Sequence, residues 1–269
     1  MMKTLLKYEY KRTRGPIGAI FGILTAIVAT GMFLVWWDIP VLGEMGLAFA
    51  VLALFGMAIA PALYLTFAYW SSSYGKKGYF TQTLPIKGST IYWSKMIWIT
   101  IIDFVAVAWA LLLGWLLVAI SYGFEVVRPS KIWEMLTSAL PVGTLAALLF
   151  LVVLELLLMP AQLFFFATAG SREPLNGWGI GGPLVVWVVT YFIIQMTALI
   201  GMLALPFGLE LVDSKSVQFT TFSWGEILAS AASDTMNTVP LGFVPVTLII
   251  PLILMWWTAR SWNQQTTLV

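Results

Sequence analysis

Of the 269 residues 60% are apolar and only 10% are charged, and the mean hydropathy is +0.92. A soluble domain of this size needs roughly 25% charged residues to cover its surface, so water is excluded as the main solvent and one membrane domain over residues 1–269 is expected. The net charge is only +2, and neither cysteine nor histidine occurs. These absences exclude disulfides, thiolate catalysis and Cys-based metal sites, and remove the commonest general base and transition-metal ligand.

The leader, 1–14, is too charged to cross a bilayer. On a helical wheel Lys3, Lys7, Lys11 and Arg14 share one face, Met2, Leu5 and Leu6 lie away from it, and Glu9 and Arg12 dilute the apolar side. The pattern reads as an N-terminal interfacial helix lying flat on anionic headgroups, or as an ordinary basic leader.

Crossing the hydrocarbon core takes about 20 apolar residues in a helix. Six stretches qualify: 18–37, 46–70, 96–122, 141–169, 183–206 and 241–259. The first is long for the apolar part of a signal peptide and ends in Trp36-Trp37 rather than in small residues, so it reads as a retained span. Pro61 marks a kink in the second, Asp103 lies in the third, and Glu155 and Pro160 lie in the fourth.

Basic residues set the orientation. Lys3, Lys7, Lys11, Arg12, Arg14, Lys76, Lys77, Lys87, Lys95, Arg172 and Arg260 fall on one side, against Arg128, Lys131 and Lys215 on the other. The positive-inside rule makes the first side cytoplasmic, so both termini are expected in the cytoplasm of a multi-pass protein of the cell membrane. Trp36 and Trp37 then mark the outer boundary, and Tyr69, Trp70, Tyr92, Trp93, Trp256, Trp257 and Trp262 an inner aromatic belt.

The second cytoplasmic segment, 71–95, reads SSSYGKKGYFTQTLPIKGSTIYWSK. It is far longer than a connector needs to be. Its aromatics Tyr74, Tyr79 and Phe80, the lysines Lys76 and Lys77, and the turn Thr83-Leu84-Pro85 suit docking against a protein partner. A basic loop resting on headgroups is the other reading. Gly88-Ser89-Thr90 offers an N-cap for a helix leading into the third span.

The outer segment, 207–240, is also too long for a connector. Within it, 222–238 suits a short helix, with Ser223 as N-cap and Glu226 at capping-box spacing. Ala229, Ala231 and Ala232 make it small-faced, which fits a re-entrant or surface helix against the span ends; an ordered loop is the alternative.

Asp103 and Glu155 are the only acids within the spans, and an intramembrane carboxylate is a functional hypothesis by default. At about 1.5 Å per residue Asp103 lies roughly 10 Å from the inner boundary, whereas Glu155 lies near the midplane, so the two do not form a catalytic pair. Glu155 reads as lining a path or a subunit seam, with Gln162 and Gln195 as hydrogen-bond donors to it. Asp103 reads as packing at the wet end of its helix or, with Glu155, Gln162 and Gln195, as lining the path or subunit seam. No phosphate-binding loop occurs, and Gly177, Gly179, Gly181 and Gly182 lack the strand-then-helix setting of a nucleotide fingerprint, so flexibility is the expected reason for them. The scattered basic residues give no nucleic-acid surface.

An interfacial N-terminal helix, six spans, a long second cytoplasmic loop and an embellished outer segment together resemble the ABC-2 type permeases, the membrane subunits of type V ATP-binding-cassette transporters. The local likeness is KKGYFTQTLPIKGSTIYWSK, with Leu84, Pro85, Lys87, Ser94 and Lys95 entering the third span. The resemblance implies an all-α permease that is not itself an enzyme. Tyr74, Lys76, Lys77, Tyr79, Phe80, Thr83, Leu84 and Pro85 would form the coupling segment that docks on a separate nucleotide-binding ATPase subunit. It further implies a second permease subunit, identical or homologous, and ATP with Mg used by the partner, with no cofactor on this chain. The segment 222–238 would cap the exit of the path. Aromatic, cation-free spans favour a hydrophobic or amphipathic cargo for an exporter. A non-transporting sensor or immunity subunit is the second reading and a lipid-modifying enzyme the third. A secondary transporter is disfavoured by the lack of a visible repeat or ion-coupling cluster.

Overall fold

A computed structural model describes the chain except for residues 38–39, 76–77, 79–80, 82, 84, 214–215, 226–237 and 265–269. Seven α-helices are described: α1 (Met2–Trp36), α2 (Leu42–Ser73), α3 (Gly88–Tyr122), α4 (Pro129–Ala139), α5 (Val142–Ala169), α6 (Gly181–Ala204) and α7 (Val244–Gln264). All but α4 are long and apolar enough to cross a membrane. They run up and down in turn, so Met2, Ser73, Gly88, Ala169, Gly181 and Gln264 gather at one end, called here the near end.

Three helices outrun their predicted spans. At about 1.5 Å per residue α1 and α3 are each about 52 Å long, against about 30 Å of hydrocarbon. The leader is helical, but it is the first turns of α1 rather than a separate element, since the helix continues through Gly15 and Pro16. Its inward face is used: Glu9, Thr13 and Ile17 are buried against the neighbouring helices. The third span likewise begins eight residues before the apolar run, at Gly88. Its amino end is capped from another helix. The Ser89 N–H donates to Asn263 Oδ1 of α7 at 3.1 Å, and no side chain of the expected Gly88-Ser89-Thr90 cap takes part.

Helices α1, α2 and α3 pack as one group, and α5 and α7 join it along α2 and α3. The far half of the first group is held by Val28, Ala50, Ala53, Met57, Leu113 and Leu117. Small residues allow that closeness. A Cβ on Gly31 would stand 2.4 Å from the Gly46 carbonyl oxygen and 2.8 Å from Ala50 Cβ. The near half has a larger core, in which Tyr69, Tyr92, Ile99, Phe164 and Trp262 bring four helices together. Helix α6 sits outside, packed mainly against α5 and α7 among the described residues, and leaves a continuous apolar surface from Leu184 to Leu203. Its start is tight against α5: a Cβ on Gly182 would meet the Gly170 carbonyl oxygen at 2.0 Å. Close backbone approach, rather than the expected flexibility, accounts for that glycine.

The fold is not purely helical. The outer segment opens as a small antiparallel sheet in the order β2-β1-β3, with β1 (Phe207–Asp213), β2 (Ser216–Thr221) and β3 (Thr238–Pro240). Phe207 pairs with Thr221 and Leu209 with both Phe219 and Val239. The run FGLELVD alternates in polarity with period two and is followed by the β-branched, aromatic-rich SVQFTT, a hairpin signal that a search for helices passes over. Ser223 directly precedes helical Trp224 and Gly225, residues 226–237 of the predicted outer helix lie outside the described residues, and its last residue, Thr238, begins β3 and is not helical. Helix α4, with Pro129 as its first residue, was also not foreseen; its amphipathic eleven residues connect α3 to α5.

Candidate functional site

Two arrangements of polar residues stand out, one at the near end and one halfway along the bundle. The first is built where α1, α2 and α3 meet. Lys95 Nζ lies 2.9 Å from Glu9 Oε1 and 2.9 Å from Ser72 Oγ, while Arg12 pairs with the other oxygen of Glu9. Glu9 and Lys95 are each 5% exposed, and a buried pair of this kind requires both partners. Trp98 Nε1 donates to Thr13 Oγ1 at 3.0 Å, and the Thr13 hydroxyl donates to the Glu9 carbonyl at 2.8 Å. The Lys95 ammonium, paired with Glu9 of α1 and donating to Ser72 of α2, thus ties three helices.

Directly beside it is an aromatic junction of α2, α5 and α7. Tyr69 stacks on Phe164 with centroids 3.9 Å apart and planes at 5°. Its hydroxyl accepts from Trp262 Nε1 at 2.8 Å and is 2.7 Å from Thr168 Oγ1. Tyr74, just beyond α2, donates to the same Thr168 oxygen at 3.1 Å. Burial pushes the Tyr74 phenol above its ordinary pKa, although its hydrogen bonds to Thr168 and Tyr69 and the Arg172 cation act against this. Arg172 reaches Ser261 and lies over the Trp257 ring at 4.1 Å. Burial lowers the guanidinium pKa, and Tyr74 opposes that shift. Tyr69, Tyr92 and Trp262 were read as interfacial residues. They are instead buried in this junction, at 1%, 0% and 7% exposure, because the longer helices carry it into the bundle.

Among the predicted docking residues, Tyr74, Thr83 and Pro85 are described, and Lys76, Lys77, Tyr79, Phe80 and Leu84 lie outside the described residues. Tyr74 faces inward as an anchor of the segment and not outward as a contact. Thr81 Oγ1 donates to the Ser72 carbonyl at 2.7 Å, and Thr83 and Pro85 are exposed. Both ends of the segment are held by α7, through Trp262 against Tyr74 at 6.0 Å and Asn263 at Ser89.

The second arrangement is a cleft of about 310 Å³ between α5, α6 and α7. It brings together three residues singled out from sequence: Glu155, Gln162 and Gln195. Phe166, Trp187 and Tyr191 add aromatic walls, and Thr247 and Pro251 close the α7 side. The expected hydrogen bonds from Gln162 and Gln195 to Glu155 are not made, although the three residues line one cavity. Asp103 belongs elsewhere. It is 2% exposed within α3, and neither carboxylate oxygen has a hydrogen-bond partner among the described residues. It is therefore not at the wet end of its helix, and it does not line the cleft.

Among the described residues no three His, Cys, Asp or Glu side chains come together as a metal site. Comparisons with protein-family models, with curated proteins and with solved structures return no match. What the fold defines is a class, a helical protein with six helices that are long and apolar enough to span a membrane. Its particular features are a buried polar junction at the end that holds Met2 and Gln264 and a mid-bundle cleft with one carboxylate among its described lining residues.

Proposed function

We propose that the chain is the permease subunit of an ATP-driven exporter of the ABC-2 type, embedded in the cell membrane with both termini cytoplasmic. The near end then faces the cytoplasm, and residues 74–85 form the coupling segment that rests on a separate nucleotide-binding subunit. A second permease, identical or homologous, completes the unit, and the partner binds and hydrolyses ATP with Mg. This chain supplies the path and no catalytic group.

The observation that carries the reading is mechanical. The segment is anchored through Tyr74 to Thr168 of α5 and through Trp262 and Asn263 to α7, and α5 and α7 are two of the three helices that line the cleft. A push on the segment is passed by two hydrogen bonds and a ring contact to helices that bound an amphipathic cavity. A sequestering or sensing protein has no need of such a linkage. ATP-driven closure of the partner pair would displace the segment, shift α5 against α7 and alter the cleft.

The test is affinity purification from native membranes in mild detergent, with mass spectrometry of everything retained. The expected result is a stoichiometric nucleotide-binding subunit, with a second permease beside it. Recovery of the chain alone under several detergents would overturn the reading.

A further inference from the structure

The cleft's polar and aromatic residues lie at different depths along the bundle. Counted from the near end at 1.5 Å per residue, Glu155 and Gln195 lie about 20 Å deep, Tyr191 about 15 Å, Trp187 and Gln162 about 10 Å and Phe166 about 5 Å. Its carboxylate and one amide therefore share one layer, and three aromatic rings with the second amide line the way toward the near end. Trp187 and Tyr191 are each 49% exposed, so their rings remain open to an occupant.

Glu155 is exposed to this space and has no ion-pair partner among the described residues, and the cleft contains no Lys or Arg. A carboxylate at this depth in an apolar layer calls for a cation or a proton. A hard metal ion needs several oxygen ligands around it, and Glu155 is the only acid among the described residues that line the cleft. An alkylammonium ion needs less: one carboxylate for its charge, neutral acceptors such as Gln195, and aromatic faces for its methyl or methylene groups.

We propose that the cleft binds an organic ammonium ion, with its charged head at Glu155 and its apolar body along Tyr191, Trp187 and Phe166. The volume of about 310 Å³ is at the small end of ligand sites and fits a small amphiphile rather than a peptide or a sugar chain. This inference names the substrate class of the cleft in the permease reading and rests on that reading for transport, though binding itself requires no ATPase.

The probe is radiolabelled benzyltrimethylammonium, measured by equilibrium dialysis against the full chain in phosphatidylglycerol nanodiscs, with neopentylbenzene as its neutral isostere. Saturable binding of the cation is expected, with at least about tenfold loss in Glu155→Gln and substantial retention in Glu155→Asp. Trp187→Leu is expected to weaken binding about threefold to tenfold. Thermal melts of each variant check that the fold is kept, and the charge-retaining Glu155→Asp separates loss of charge from loss of structure. Equal binding to wild type and Glu155→Gln, or competition by neopentylbenzene as effective as by the unlabelled cation, would overturn the proposal. Nanodiscs containing phosphatidylethanolamine separate the two sources of such a cation: competition there identifies a lipid amine as the occupant, and its absence a soluble one. Glu155-dependent binding by a chain that purifies without an ATPase would keep this inference and discard the coupled permease. A chain that holds its ATPase but shows no charge-dependent binding would do the reverse.

Discussion

At the scale of single residues, the near end depends on one carboxylate. Glu9 holds Lys95 and Arg12, and with Thr13 and Ser72 it joins α1, α2 and α3 in a region closed to solvent. Removing one partner of a buried pair leaves the other charge uncompensated, which costs about 3–5 kcal/mol, whereas replacing both with apolar groups is far milder. Glu9→Met, which leaves both Lys95 and Arg12 without their carboxylate, is therefore expected to lower the thermal stability of the purified protein markedly. Lys95→Met is expected to lower it less, because Arg12 still pairs with Glu9, and the double variant to recover the part of the Glu9→Met loss that Lys95 causes. Melting curves of the two single variants and the double variant check this; an additive double variant would mean that the pair is not coupled. None of this was legible from sequence. The two residues are 86 positions apart, and Glu9 appeared there only as a dilution of an apolar face.

Among the elements, helix α1 and its contact with α2 carry the clearest lesson. The sequence marks where hydrophobicity begins, but not where hydrogen-bonded backbone begins, so the charged leader and the apolar span looked like two pieces. The backbone continues through both because nothing in 1–14 breaks a helix, and Pro16 removes only one amide donor from it. Glycines along α1 also differ in a way that only packing reveals. Gly31 meets the backbone of Gly46, whereas a Cβ on Gly22 would meet nothing within 4 Å. Gly31→Ala is expected to destabilise by about 1–3 kcal/mol by forcing α1 and α2 apart. Gly22→Ala, by contrast, is expected to be neutral or mildly stabilising through helix propensity. Side-by-side melting temperatures of the two variants decide the matter, and equal behaviour would argue against the close α1–α2 approach.

For the whole molecule, the chain's lack of cysteine makes its orientation directly measurable. Single cysteines at Lys3 or Lys87, at the near end, are expected to resist a membrane-impermeant maleimide in intact cells and to react after permeabilisation. Single cysteines at Glu125 or Arg128, in the exposed turn before α4, are expected to react in intact cells. The reverse pattern would place the coupling segment outside the cytoplasm and end the proposed coupling to a cytoplasmic ATPase. The same architecture gives the near-end junction its importance, because it is where α2, α5 and α7 are tied together.

Six apolar runs, their order and their separation by polar segments were legible in the sequence because each run is long enough to need a membrane or an equivalent apolar surround. The conjunction of Glu155 with Gln162 and Gln195 was partly legible too, since polar residues inside apolar runs stand out in any reading. The tertiary structure alone decided that these three share a cleft while Asp103 does not, that Tyr69 and Trp262 are buried links rather than interfacial anchors, and that Asn263 caps α3. It also decided that the outer segment begins as a sheet. The physical reason is the same throughout: hydropathy is a local property that fixes which segments avoid water. Which side chains meet, and whether a polar group finds a partner, depends on how helices far apart in the chain approach one another.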